Sequence, residues 1–218
     1  MSMKEIERFV VIDFETTGLN SKRRAVEVAW FELNKKFEII DEQSSLINPM
    51  IPIPRDASRI HGITDEMVVE SPTLDEFIED VNQNPFASSN VCVIAHNLSF
   101  DLPLFRKYCG SVVELCTLKL ARALYPDWEN HKLITISEMF GFATGDSHRA
   151  RSDAILVLYF LRLLKDVEQF NFDEMLQIAN QRFMKENQNE QYCAQCFLFI
   201  PKSQKNCPAE DDSCPLFW

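Results

Sequence analysis

The stretch Phe9-Val10-Val11-Ile12-Asp13-Phe14-Glu15 decides how the rest of the chain is read. Its apolar run has no helical period and is rich in β-branched side chains, so it reads as a strand buried in the middle of a sheet. Asp13 and Glu15 follow, two residues apart, and on a strand that spacing puts both carboxylates on one face. A charge at the end of a buried strand costs free energy unless a proton or a cation offsets it. The strand therefore needs partners, and they must come from elsewhere in the chain.

Working outward, Val26-Glu27-Val28-Ala29-Trp30-Phe31-Glu32-Leu33 partly alternates and predicts a second strand, and Phe37 through Ile47 a third. The short connections predict an antiparallel meander. The loop between the first two strands carries Lys22, Arg23 and Arg24, read as a solvated charge run. Pro49, Pro52 and Pro54 interrupt regular structure. A helix is expected over 73–82, with Leu74, Phe77, Ile78 and Val81 on one stripe, then a buried strand over Val91–Ala95. Ser99 is the expected N-cap of a helix through Tyr108. Further helices are expected over 116–124, 133–140, from near Ser152, and from Phe172 to Lys185. Strands first, then alternation with helices, predict an α/β layer fold with a mixed sheet. The polar stretch 187–191 is the best boundary, separating a domain over 1–186 from a tail over 187–218.

A net charge of −11 speaks against a protein that coats nucleic acid broadly, which draws on many Lys and Arg contacts to phosphate. It does not speak against an enzyme acting at a chain end, where metal ions can bring the positive charge. No apolar run approaches the roughly 20 residues that span a bilayer. The first eight residues carry acids where a signal peptide is basic, so the expected location is intracellular, in the cytoplasm, with no membrane partner. Seven cysteines, an odd count, do not predict a disulfide framework.

Two later segments supply further acids. Asp101 closes Ala95-His96-Asn97-Leu98-Ser99-Phe100-Asp101, and His148 and Asp153 frame His148-Arg149-Ala150-Arg151-Ser152-Asp153-Ala154. Taken singly, each segment reads as a solvated strand end or helix start. Together, four carboxylates and an imidazole at the edges of apolar elements are the parts of a two-metal phosphodiester hydrolase. Such a reaction needs an activated water, neutralised phosphoryl oxygens and help for the leaving oxygen, which two divalent ions about 4 Å apart provide. Mg²⁺ prefers carboxylate oxygens. Asp13, Glu15 and Asp153 could form one metal site, and Asp101 could hold a second ion. His148, on the loop leading into the last long helix, can take the proton of the attacking water, so activity is expected to rise with pH across the neutral range.

With these residues in hand, the chain resembles the DEDDh 3′–5′ exonucleases, the group that contains the proofreading subunit of bacterial DNA polymerase III. Val11 through Leu19 is similar to the family's first motif, Ala95 through Asp101 to its second and His148 through Ala154 to its third. Ile47–Pro54 with Ile60–Met67, and Ala121–Pro126 with His131–Leu133, are similar to its connecting segments, so the resemblance covers roughly residues 8–168. It implies an RNase H-like α/β fold, a mixed five-stranded sheet flanked by helices. It also implies two Mg²⁺ or Mn²⁺ ions and release of nucleoside 5′-monophosphates from a nucleic acid 3′ end, most simply a single strand. By resemblance, Asp13, Glu15, Asp101 and Asp153 bind metal and His148 is the general base. Thr16 positions the terminal nucleotide, His61 and Phe100 flank the terminal bases, and Asn97 orders the second motif. The lesser alternative for Phe100 is plain core, and His61 can equally cap the turn around Gly62. Arg149 or Arg151 is a candidate phosphate contact.

DNA is favoured over RNA because the motifs look nearest the proofreading type. The alternatives are an exoribonuclease that trims RNA 3′ ends, or a binding or scaffold protein with a vestigial nuclease fold, in which a carboxylate or the histidine is usually lost. The tail carries Cys193-x2-Cys196-x10-Cys207-x6-Cys214, the four thiolates of a structural Zn²⁺, although the second pair is widely spaced. Its end, Pro215-Leu216-Phe217-Trp218, is expected to pack on the body or bind a protein partner.

Overall fold

The structure is a computed structural model that describes residues 6–80, 84–87, 90–142 and 148–181, with the backbone of 190–192 and 199–201. Strand β1 (Arg8–Thr16) pairs antiparallel with β2 (Ala25–Leu33), which pairs antiparallel with β3 (Ile39–Leu46). On its other side β1 pairs parallel with β4 (Val91–Ala95), and β4 with β5 (Val113–Cys116). The sheet order is therefore β3-β2-β1-β4-β5, the mixed five-stranded sheet expected.

The helices lie on both faces. On one, α7 (Ala150–Asp166), α5 (Thr117–Leu124), α6 (Leu133–Met139) and α8 (Phe172–Gln181) bury Val11, Phe31, Ile94 and Leu115 under Val157, Phe160 and Leu161. On the other, α3 (Leu74–Asp80), the 3-10 turn Pro85–Ala87 and α4 (Leu98–Phe105) cover Val10, Ile12, Phe14, Val28 and Trp30. Period-2 alternation sorts neighbouring residues of β1 between these two cores.

Several expectations change in detail. All nine residues of β2 are buried, because the strand has neighbours on both edges and helices on both faces; Glu27 and Glu32 sit inside because Arg149 and Arg8 pair with them. β5 was not expected; its last residue, Cys116, is where the sequence reading started the next helix one residue too early, and Val113–Leu115 had no element assigned. The proline-rich stretch ends in helix α1 (Arg55–His61), entered directly from Pro54, and is followed by the one-turn α2 (Asp65–Val68). Proline has no N–H to lose at a helix start. The helix over 73–82 is described as α3 to Asp80, and the last helix to Gln181; their expected ends at 82 and 185 lie outside the described residues. Glu190 and Gln191, expected in a linker, belong to strand β6 (Glu190–Tyr192), which pairs antiparallel with β7 (Phe199–Pro201). Cys193, Cys196, Cys207, Cys214 and the aromatic end 215–218 lie outside the described residues. No helix among the described residues is long and apolar enough to cross a membrane.

Trp30 is 1% exposed and meets the rings of Phe86 and Phe77 with centroids 5.4 and 5.5 Å away. Trp30→Ala should cost about 3–5 kcal/mol. Urea unfolding with the transition midpoint barely moved would show that this face does not carry the load its packing implies.

Candidate active site

Asp13 and Glu15 leave β1 on the face that α7 covers, beyond Val11 in the same row. In the β1–β2 register Asp13 faces Ala29 and Glu15 faces Glu27, so a small side chain stands opposite Asp13. The register then shifts between Glu15 and Thr16, a bulge of the kind that re-aims side chains at the rim of a sheet. β4 pairs with β1 only as far as Val11, which leaves the later part of β1 without a strand on that edge.

Helix α4 takes that place. The chain turns out of β4 through Asn97, whose φ of 66° is left-handed, a conformation asparagine tolerates better than most residues. The Phe100 N–H donates to the Asn97 carbonyl at 2.7 Å, and the Ser99 hydroxyl to Asn97 Oδ1 at 3.1 Å. The helix thus starts after Asn97 rather than at the expected cap Ser99, which lies in its first turn and braces the turn before it. His96 fastens the same corner: its Nε2–H donates to the His131 carbonyl at 2.8 Å, and Nδ1 accepts from the Thr117 hydroxyl at 3.1 Å. Asp101, 2% exposed, then reaches β1 and bonds to the backbone of Phe14.

The third segment arrives over the other face. His148 has φ 60°, a strained backbone for a residue that is not glycine, and sits two residues before α7. The Asp153 carboxylate turns back to accept a hydrogen bond from the His148 backbone. Glu15, His148 and Asp153 present potential ligand atoms that all lie within 4.8 Å of one another.

Burial and mutual repulsion keep these acids from ionising easily. Burial first, then the fields of Asp101, Asp153, Glu15 and Glu27, hold the Asp13 carboxyl well above the usual range. Burial, then Asp153 and Glu27, raise Glu15 to about 8, with Arg149 opposing. Burial raises Asp153 to about 6 against its bond from His148. Burial also raises Asp101 well above its ordinary value, with the Arg23 guanidinium as the main opposing charge. Carboxylates that repel one another in a pocket are stabilised by protons or by hard cations. Carboxylate oxygens with one imidazole suit Mg²⁺ or Mn²⁺.

The flanking residues divide. Thr16 is buried, and its hydroxyl donates to the Gly18 carbonyl at 2.7 Å. His61, 5% exposed, accepts the Ile63 N–H at Nδ1 (3.0 Å), so its Nε2–H donates to the Thr16 carbonyl (3.2 Å). It caps the turn around Gly62 and ties α1 to the end of β1, which leaves little of its ring for a base. Phe100 is only partly buried, and the Arg23 guanidinium lies 4.1 Å from its ring centroid. Arg23 was expected in a solvated run; it is 7% exposed and donates to the carbonyls of Asn20 and Phe100, pinning the β1–β2 loop to the second motif. Arg24 donates to the Pro49 carbonyl at 3.0 Å, and Lys22 is exposed. Arg149 and Arg151 pair with Glu27 and Glu42. Sequence reasoning passed over Glu27 and read Arg23 only as part of a solvated charge run. For Glu27 the signal was present, an acid inside an otherwise apolar run, but partial alternation made a wet face seem sufficient.

Comparison with known proteins agrees with this arrangement. The family model described as "Exonuclease" matches residues 10–161. DNA polymerase III subunit epsilon of Aquifex aeolicus is 33% identical over 168 residues, 73% of this chain and 81% of its own length. The PolC-type DNA polymerase III of Caldanaerobacter subterraneus is 33% identical over 178 residues, 78% of this chain but only 12% of that protein. Among solved structures, Exonuclease X in complex with 5′ overhanging duplex DNA superposes with a TM-score of 0.63 at 26% identity, covering 79% of this chain and 99% of the other. Exonuclease I of E. coli, solved with a dT13 oligonucleotide, shares the fold with a TM-score of 0.68 at 17% identity, over 83% of this chain and 46% of its own. The chain belongs to the exonuclease family, with an RNase H-like fold, and it spans only about an eighth of the length of the PolC-type relatives it matches.

A carboxyl with a raised value stabilises the folded state only while protonated. For Asp153 and Glu15 that stability is complete below the ordinary values of 3.8 and 4.5 and is lost as pH rises through about 6 and about 8. The metal-free protein should therefore lose thermal stability from pH 5 to pH 8. Added Mg²⁺ should raise Tm by several degrees more at pH 8 than at pH 5. An equal increment at both pH values in thermal denaturation would mean that these acids are not where the cation binds.

Proposed function

We propose that this domain hydrolyses the terminal phosphodiester bond at the 3′ end of a nucleic acid, with DNA favoured, and releases nucleoside 5′-monophosphates. The observation that carries this reading is the convergence of Asp13, Glu15, Asp101 and Asp153 around one end of β1, with His148 at its rim. No carboxylate or histidine of the constellation is missing, as it usually is in a vestigial nuclease. DNA is favoured because relatives are subunits of DNA polymerases and the similar solved structures hold DNA.

In this reading Asp13, Glu15, Asp101 and Asp153 hold two Mg²⁺ or Mn²⁺ ions. When bound, these ions supply Lewis acidity to the phosphoryl and leaving oxygens and favour ionisation of water. His148, exposed at the mouth of the site, takes the proton of the attacking water and passes it to solvent. Phe100 offers a partly open ring for a terminal base, a contact indifferent to sequence. Thr16, held by His61 and Gly18, positions the terminal nucleotide, and Asn97 fixes the turn that delivers Phe100 and Asp101. We assign this chemistry to residues 1–186. The cysteine-rich stretch 187–218 is a separate module, with Cys193, Cys196, Cys207 and Cys214 holding a structural Zn²⁺ and the tail meeting a protein partner.

Asp13→Ala should abolish Mg²⁺-dependent release of mononucleotides from a 3′-labelled oligonucleotide; undiminished release would place the chemistry elsewhere. Matched DNA and RNA, single and double stranded, with free and blocked 3′ ends, would fix the substrate in the same assay. Preference for RNA would replace the DNA reading.

His148→Gln should lower kcat by about 100-fold or more. It should also remove the rise of kcat with pH across the neutral range. A wild-type profile already flat under limiting chemistry would overturn His148 as the base.

A further inference from the structure

The first turn of α7 carries Asp153 and follows His148 directly, yet this helix has no side-chain cap of its own. Its Arg149 and Ala150 look instead to another element. Glu27 of β2, 4% exposed, accepts the Arg149 Nε and Nη2 at 3.1 and 2.6 Å and the Ala150 N–H at 2.9 Å. One carboxylate therefore makes a forked pair with the guanidinium and caps the helix from outside. It lies directly across from Glu15 in the β1–β2 register. Glu15 on the sheet and His148 and Asp153 on the arriving segment are the three residues whose ligand atoms lie within 4.8 Å of one another. Among the described residues, the Glu27 carboxylate bonds that segment to the strand beside Glu15, and the Arg151 guanidinium adds a contact 5.6 Å from the ring of Phe31 on the same strand.

We propose that Glu27 is a positioning residue, which sets the His148–Asp153 segment against Glu15 by binding Arg149 and the first N–H of α7 at once. The inference rests on the metal-dependent reading given above. A buried carboxylate bound to one guanidinium and one amide has little freedom, so Ala150, and with it the first turn of α7, is held at a fixed distance from β2. His148 gains the same constraint from its near end, because Arg149 is its neighbour in the chain. That provides a physical reason for its left-handed backbone to persist: a segment fixed just beyond His148, and bonded back from Asp153, has few other conformations open to it. Glu27 itself touches neither substrate nor reacting water in this assignment.

The test uses the full chain and Glu27→Gln, which keeps the shape and an acceptor while removing the charge that holds Arg149. Partners that orient metal ligands typically matter by 10–100-fold, so the Mn²⁺ dissociation constant, titrated without nucleic acid, should weaken about tenfold at unchanged stoichiometry. A variant that merely unfolds in part would lose stoichiometry and keep affinity. kcat should fall by about tenfold or more while KM for a 3′-labelled oligonucleotide stays within about twofold. Arg149→Met should reproduce both changes, and the double variant should be no worse than either single one. A metal-independent readout accompanies these: amide exchange at Ala150 in metal-free protein should speed up about tenfold in Glu27→Gln, because the bond to the carboxylate is weakened. Unchanged Mn²⁺ affinity together with unchanged exchange at Ala150 would overturn the role of Glu27 and leave the nuclease reading intact. Wild-type protein that binds no Mn²⁺ would instead sink the nuclease reading, and the exchange data alone would then decide whether Glu27 holds the segment.

Discussion

Like charges confined to one pocket are the constraint on which the rest of the domain depends. Asp13, Glu15, Asp101 and Asp153 all lie where burial opposes their ionisation, and Asp13 feels each of the other three. Such a group collapses outward unless the backbone gives it no choice. The choice is removed by rigid parts: a strand bonded on both sides up to Val11, a helix start held by the Asn97 turn, and a long helix packed on the sheet through Val157, Phe160 and Leu161. The cores on either side of the sheet fix the directions from which repelling groups arrive, and free energy of packing offsets the repulsion.

The site is also assembled from two layers that do not share a core. Asp13, Glu15 and Asp153 belong to the layer of α7, whereas Asp101 comes from α4, which packs on the opposite face. They meet because β4 stops pairing with β1 early and α4 slides into the open edge. Arg23, from the β1–β2 loop, and His61, from the end of α1, close the same corner, one across Phe100 and the other under Thr16. Ligands in open α/β sheets gather at the carboxyl ends of strands for this reason: only there does the backbone leave the ladder and expose an edge.

How much of this could be read beforehand follows from how local each signal is. The run into Asp13-Phe14-Glu15 announced both strand and site, because burial and charge are adjacent in sequence there. The long apolar helix after Ser152 was equally plain, and its first turn begins at Ala150. β5 was missed because four residues, Val113–Cys116, are too few to show a period and run straight into α5. Helix α1 was missed because prolines were read only as breakers. Glu27 and Arg23 were misjudged for a deeper reason. Their environments are made by residues 122 and 77 positions away, Arg149 and Phe100, and no window on the sequence contains both partners. That Asp13, Glu15, Asp101 and Asp153 meet at the end of β1 was legible from the motifs; the bonds that hold them there were not.

The raised carboxyl of Glu15, and that of Asp153, has a consequence for how the protein trades ions with its surroundings. At neutral pH Glu15, raised to about 8, keeps its hydrogen ion in the metal-free protein while Asp153, raised only to about 6, has largely given its own up, so a cation binding there would displace a proton and loading would be an exchange rather than a simple addition. Each loading event acidifies the solution. The heat that calorimetry records will then contain the heat of the buffer taking up what the pocket gives off, and will differ between buffers of different ionisation enthalpy. Occupancy of the pocket is thereby coupled to the acidity around it.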